Sequence, residues 1–112
     1  YEGQAAYVAA LIWYQHSLEI TETRLGAEHP DTATSLNSLA LLYKSQGRYG
    51  EAEPLLVRSL TIYMTILGEN HPHTQTAQSN FRYLIQQAVA TGRSGELSDH
   101  PLTQAVVQQM QS

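Results

Sequence analysis

Cysteine is absent from these 112 residues, which excludes disulfides and thiolate metal sites and leaves the redox compartment open. Charge is scarce as well: 14% of residues are charged and the formal net charge is −4. The six basic residues, Arg24, Lys44, Arg48, Arg58, Arg82 and Arg93, are scattered along the chain. A nucleic-acid partner is therefore not expected, because counterion release along a phosphate backbone needs a basic stripe. Long apolar runs are missing too. Nothing approaches the roughly 18 consecutive apolar residues of a membrane span, and no charged start followed by an apolar stretch and a cleavage site marks a secretory signal. A soluble, cytoplasmic chain with no membrane partner is the expectation.

What the sequence does contain is repetition. Leu25-Gly26-Ala27-Glu28-His29-Pro30 returns as Leu67-Gly68-Glu69-Asn70-His71-Pro72, and 67 minus 25 gives a 42-residue period. The same offset pairs Tyr7 with Tyr49, Ala10 with Ala52, Ser17 with Ser59, Leu18 with Leu60, Ile20 with Ile62, Thr23 with Thr65, Thr32 with Thr74 and Thr34 with Thr76. A period of about 20 to 50 residues without strand-like alternation predicts a helical solenoid, in which each unit buries its apolar face only against its neighbours. The chain holds about two and a half units of such a repeat. It opens inside a unit, so a piece of a longer protein is expected.

Helix boundaries follow from local chemistry. Ala6, Tyr7, Ala10, Leu11, Trp13, Tyr14, Ser17, Leu18 and Ile20 recur at spacings of three and four, which predicts a first helix over 4–25 with a wide buried face. Pro30 lacks an N–H and fixes φ, so it suits the first turn of a second helix, over 31–46. Gly47 ends that helix with the left-handed conformation of a C-terminal cap. A third helix is predicted over 50–67, with Pro54 in or just after its first turn, and a fourth over 73–90. Thr91-Gly92-Arg93-Ser94-Gly95 reads as a loop. A last short helix starts at His100-Pro101 and lies across the preceding pair as a cap.

Leu36, Leu39, Ala40, Tyr43, Gly47, Tyr49, Ala52, Leu56 and Leu60 resemble the large-and-small pattern of tetratricopeptide repeats. Small residues at Ala40 and Ala52 leave room for close helix crossing. Ordinary units of that family have about 34 residues. The longer period, with Gly47-Arg48-Tyr49-Gly50-Glu51-Ala52-Glu53-Pro54-Leu55, is similar to the 42-residue subtype of kinesin light chains and their bacterial relatives. The resemblance covers roughly residues 4–90. It departs in the next unit, where Arg82 stands at the position of Ala40 and Val89 at that of Gly47. The expected fold is all-α, a right-handed solenoid of antiparallel helix pairs with a C-terminal capping helix. Its expected parts are the second helix of a truncated repeat over 4–30, one full repeat over 31–72, and a degenerate terminal repeat and cap over 73–112.

The resemblance implies a concave surface lined by the first helices of successive units, on which a peptide is read. Helical spacing places Thr34, Asn37, Ser38, Leu41 and Lys44 there, with Thr76, Ser79, Asn80, Tyr83 and Gln86 on the next unit. It also implies amide side chains that hydrogen-bond a bound peptide's backbone, a role Asn37 matches directly and Asn80 by an adjacent position. An amide donates and accepts at once, which suits main-chain recognition. Trp13 and Tyr14 form the largest aromatic pair on the first helix. With no helix before it in the chain, that face predicts self-association, and a homo-oligomer is a possible form.

Five histidines raise a metal site, but each His-Pro sits at a repeat turn and no carboxylate or thiolate set completes a tetrahedron. No cofactor is expected. Ser and His never fall in a glycine-flanked elbow or a phosphate loop, so no catalytic residue is expected either. Thr32, Thr74 and Thr103 read as helix-start residues, and Glu51 and Glu53 as structural charges in a helix's first turn. The function expected is non-catalytic binding of a peptide or partner domain. Two alternatives are a structural cap closing a repeat array in a signalling or scaffold protein, and a scaffold arm of an enzyme whose catalytic domain lies elsewhere.

Overall fold

Three His-Pro pairs start three helices, and each histidine acts in the same way. The Nδ1 atoms of His29, His71 and His100 accept the backbone N–H of Asp31 at 3.0 Å, His73 at 3.1 Å and Leu102 at 3.1 Å. Each imidazole thereby satisfies one of the orphan donors of a helix start, and the following proline spares another. The computed structural model describes residues 2–111, with side chains described over 5–110; the expected outer limits at Tyr1 and Ser112 lie outside that range. Its helices are α1 (Glu2–Leu25), α2 (Pro30–Ser45), α3 (Tyr49–Ile66), α4 (Pro72–Ala90) and α5 (Pro101–Gln111), with a 3-10 turn at Ser94–Glu96. Among the described residues there is no strand.

Each of α1 to α4 packs against its sequence neighbour. The short dimension of the molecule is 22 Å, about two helix diameters, so the chain is a two-layer helical-repeat solenoid. Ala40 and Ala52 are wholly buried at the α2–α3 crossing, with Leu36 and Leu56 filling the space beside them. Each of those leucines contributes about 2 kcal/mol through burial. The buried Ser59 hydroxyl donates to the Ala33 carbonyl at 2.8 Å, locking the two helices in register.

Two expectations change. The wide buried face of the first helix does not form: α1 holds no fully buried side chain among its described residues. Tyr7, Ala10, Leu11, Tyr14, Ser17 and Leu18 are half-buried, whereas Ala6 is exposed, Trp13 is 67% exposed and Ile20 42%. Val8 and Ile12 are apolar and exposed on the same helix. Between residues 5 and 14 α1 is apolar around its circumference, as a helix covered on several sides must be, but only one side is covered.

The second change concerns Val89. The unit that begins at α4 keeps its helix-ending glycine, displaced by three residues. α4 has 19 residues where α2 has 16, and Gly47-Arg48-Tyr49-Gly50-Glu51 returns as Gly92-Arg93-Ser94-Gly95-Glu96, 45 residues later. Gly47 has φ 72° and Gly92 φ 73°. The cap hydrogen bonds also match: Gly47 N–H to Lys44 C=O and Arg48 N–H to Tyr43 C=O, then Gly92 N–H to Val89 C=O and Arg93 N–H to Ala88 C=O. This is the paired bonding of a Schellman end, which needs a left-handed residue. The turn is intact, and what is lost is the long helix after it, interrupted between Glu96 and Pro101.

Candidate functional site

Side chains from α2 and α4 meet along one line. The Asn80 Nδ2 donates to Asn37 Oδ1 at 3.3 Å. The residue 42 positions after Asn37 is Ser79, which is exposed, so the neighbouring Asn80 makes the contact. Further along, the Lys44 ammonium lies 4.4 Å from the centroid of the Tyr83 ring, a contact of about 0.5–1 kcal/mol at an exposed site. Tyr83 is half exposed, and its hydroxyl accepts from Gln87 Nε2 at 2.9 Å. At the other end, the Thr34 hydroxyl meets the Tyr63 hydroxyl at 2.6 Å, and the Tyr63 ring stacks on His73.

After the mutual bond, Asn37 Nδ2 and Asn80 Oδ1 still offer donors and an acceptor from adjacent helices. Such a pair can hold the N–H and C=O of an extended chain. Thr76 and Gln86 are exposed on α4. Ser38 and Leu41 are placed differently: with Tyr14, Leu42 and Ser45 they line a shallow pocket on the flank of α2 that faces α1. They belong to the α1 side of the molecule, as do Trp13 and Tyr14, whose rings meet edge to face at 5.8 Å.

An arginine ladder runs along another edge. Arg48 pairs with Glu51, donates to the Tyr7 hydroxyl at 3.1 Å and covers the Tyr43 ring. Arg93 pairs with Glu96 and covers the Tyr49 ring. The hydrogen bond to Glu51, then that to Tyr7, raises the Arg48 pKa above its ordinary value; the bond to Glu96 does the same for Arg93. In return, Arg93 holds the Glu96 carboxyl below its ordinary value.

The sequence reading missed one polar cluster. Glu53 is wholly buried, and its carboxylate accepts from the Ser98 N–H at 3.1 Å, the Ser98 hydroxyl at 2.6 Å and the buried Thr103 hydroxyl. It ties the start of α5 to α3. The signal that could have flagged it is the offset itself, since 53 minus 42 gives Leu11, an apolar position carrying a charge. Thr32 and Thr103 both use their hydroxyls, Thr32 towards the Gly26 carbonyl at 2.7 Å, while the buried Thr74 hydroxyl has no partner. Among the described residues no three His, Asp or Glu side chains come together as a metal site. No helix among them is long and apolar enough to cross a membrane.

Comparison with protein families matches residues 1–65 to the tetratricopeptide repeat. Nephrocystin-3 of Homo sapiens is 46% identical over 46 residues, which is 41% of this chain and 4% of that protein. Nephrocystin-3 of Xenopus laevis is 49% identical over 41 residues, 37% of this chain and 3% of that protein. The chain thus spans a few per cent of the length of these relatives.

Proposed function

The chain belongs to the tetratricopeptide repeat family, and from that premise we propose that it is a non-catalytic interaction module receiving an extended peptide along the α2–α4 line. The 42-residue period supports the kinesin light chain subtype within the family, with units divided at residues 31 and 73. The observation that carries the reading is the meeting of Asn37 and Asn80 across two units, with Lys44 and Tyr83 beside them. Main-chain recognition by amides, flanked by one cation and one aromatic ring, suits an extended segment. Motor-driven transport is not part of the proposal, because function resides in sites and the repeat alone carries none.

Random dodecapeptides displayed on phage and selected on this chain test it, with the selected peptides measured by fluorescence anisotropy. Replacing both Asn37 and Asn80 by Ala removes about two hydrogen bonds near 1 kcal/mol each, which corresponds to roughly 10- to 30-fold weaker binding. Equal binding by a folded double variant would move the site elsewhere.

A second reading rests on α1, where Trp13, Ile12 and Val8 stand half or more exposed. Here the chain is a structural cap that self-associates through this face. Sedimentation equilibrium decides: a wild-type dimer converted to monomer by Trp13→Glu supports it, and a wild-type monomer at high concentration removes it.

A further inference from the structure

Three helix starts share the signature His-Pro-x-Thr, at residues 29–32, 71–74 and 100–103, so each serves as a control for the others. In all three the histidine Nδ1 accepts a backbone N–H. That bond exists only while Nδ1 keeps its lone pair. A proton there sets a donor against a donor and brings a cation to the positive end of the helix dipole. Imidazole ordinarily takes up a proton near about pH 6.5, so mild acid acts on these caps before it acts on any carboxylate.

What surrounds the three caps differs. At α2 the Asp31 carboxylate lies 4.0 Å from His29 Nδ1 and balances an added charge, and the Thr32 hydroxyl ties the turn to the Gly26 carbonyl at 2.7 Å. At α5 the buried Glu53 holds both the Ser98 and the Thr103 hydroxyls. The start of α4 has neither support. Its first turn carries no acidic residue, and the buried Thr74 hydroxyl has no partner. The variable position is a second imidazole, His73, stacked on His71 at 5.0 Å, and two imidazolium ions at that distance repel. Among the described residues His29 is the one histidine paired with a carboxylate. Glu69, the acid nearest to His71 in sequence, is exposed and lines the surface beside Gln78 and Arg82. The titratable group that α3 presents to the pair is Tyr63, whose ring stacks on His73. α2 reaches it through Thr34, which bonds the Tyr63 hydroxyl and does not titrate. We propose that the start of α4 is a proton-operated joint: protonating His71 releases the first turn of α4 and unstacks His73 from Tyr63, while α2 and α5 keep their starts. The joint is a property of the chain alone and does not rest on peptide binding.

The test is an NMR titration of the 112-residue chain from about pH 8 to about pH 5. Losing the cap and opposing the dipole together lower the ratio of closed to open first turn roughly tenfold. As the His71 imidazole titrates, the helical Cα shifts of residues 72–75 are expected to fall accordingly. The His73 amide proton should lose the downfield shift that its bond gives it, and the ring contact between His73 and Tyr63 should disappear. Residues 30–33 and 101–104 are expected to keep their helical shifts. His71→Asn supplies an acceptor that does not titrate and should hold the start of α4 across the whole range, whereas His71→Ala should leave it loose at every pH. A start of α4 unchanged by protonation of His71, equal losses at all three helix starts, or the same loss in His71→Asn would overturn the proposal. The wild-type titration stands as a test even if a variant fails to fold.

Discussion

Glu53 offers the sharpest perturbation, since a buried carboxylate with three donors occupies a position that is apolar one unit earlier. Glu53→Leu removes the charge and supplies the residue type of Leu11. Ser98 is half-buried, so water can replace its lost partner. Thr103 is wholly buried, and its hydroxyl is left unsatisfied at a cost of about 1–3 kcal/mol. With the charge-assisted bonds lost and the desolvation of the carboxylate relieved, we expect a net cost of about 2–4 kcal/mol. The loss should be local, because Glu53 ties only the α5 end of the molecule. Hydrogen exchange by mass spectrometry should show α5 amides exchanging roughly 30- to 1,000-fold faster, with little change in α2 and α3. Thr103→Val alone leaves carboxylate acceptor capacity unused and also destabilises. Together the two changes replace both partners by apolar groups, which is close to neutral, so the double variant should recover at least about 1 kcal/mol relative to the sum of the singles. Additive costs, or faster exchange spread evenly over all helices, would refute the picture of a latch between α3 and α5.

Gly92→Ala and Gly47→Ala both force alanine into a left-handed conformation, at about 1 kcal/mol each. At Gly92 the added methyl meets nothing within 4 Å, whereas at Gly47 it would lie 2.9 Å from Arg93 Nη1. Urea denaturation should therefore rank Gly47→Ala as the worse, and equal costs would show that the Arg93 stack on Tyr49 contributes nothing. Ala40→Arg, the reciprocal of the Arg82 difference, places a long cation in a fully buried crossing and should cost more than about 3 kcal/mol, read as loss of the cooperative thermal transition; a folded variant of near wild-type stability would contradict the crossing argument. Because Arg93 holds the Glu96 pKa below its unfolded value, the pair's stabilisation is complete above the ordinary glutamate range and fades as pH falls through the lowered value. A carboxyl ¹³C titration of Glu96 should show its midpoint rising in Arg93→Ala, and an unchanged midpoint would remove Arg93 as the cause.

How much was legible depended on range. The starts of α2, α4 and α5 were readable because His-Pro acts on backbone groups two residues away. The α2 end was readable because Gly47 answers a local need for positive φ. The end of α4 at Ala90 was readable from the loop composition of residues 91–95, but its capping glycine was not, because a fixed 42-residue offset lands on Val89 and cannot register a helix three residues longer. The Gly-Arg-x-Gly-Glu signature shared by residues 47–51 and 92–96 carried that information in plain view.

The candidate sites were less legible. Helical spacing put Asn37, Lys44, Asn80 and Tyr83 on related faces, yet it also grouped Ser38 and Leu41 with them, and these turn towards α1. Spacing along one helix gives a direction to within a broad sector, and the identity of the neighbour is set by the rotation of the next helix. The sequence by itself determined the helices, their period and their ends, since propensities and caps act over a turn or less. Only the tertiary structure decided that Asn80 and not Ser79 meets Asn37, that Glu53 is buried against the start of α5, and that Ser38 and Leu41 turn towards α1. Those outcomes turn on a few ångströms of helix separation, which side-chain volumes at the crossings fix and no local pattern encodes.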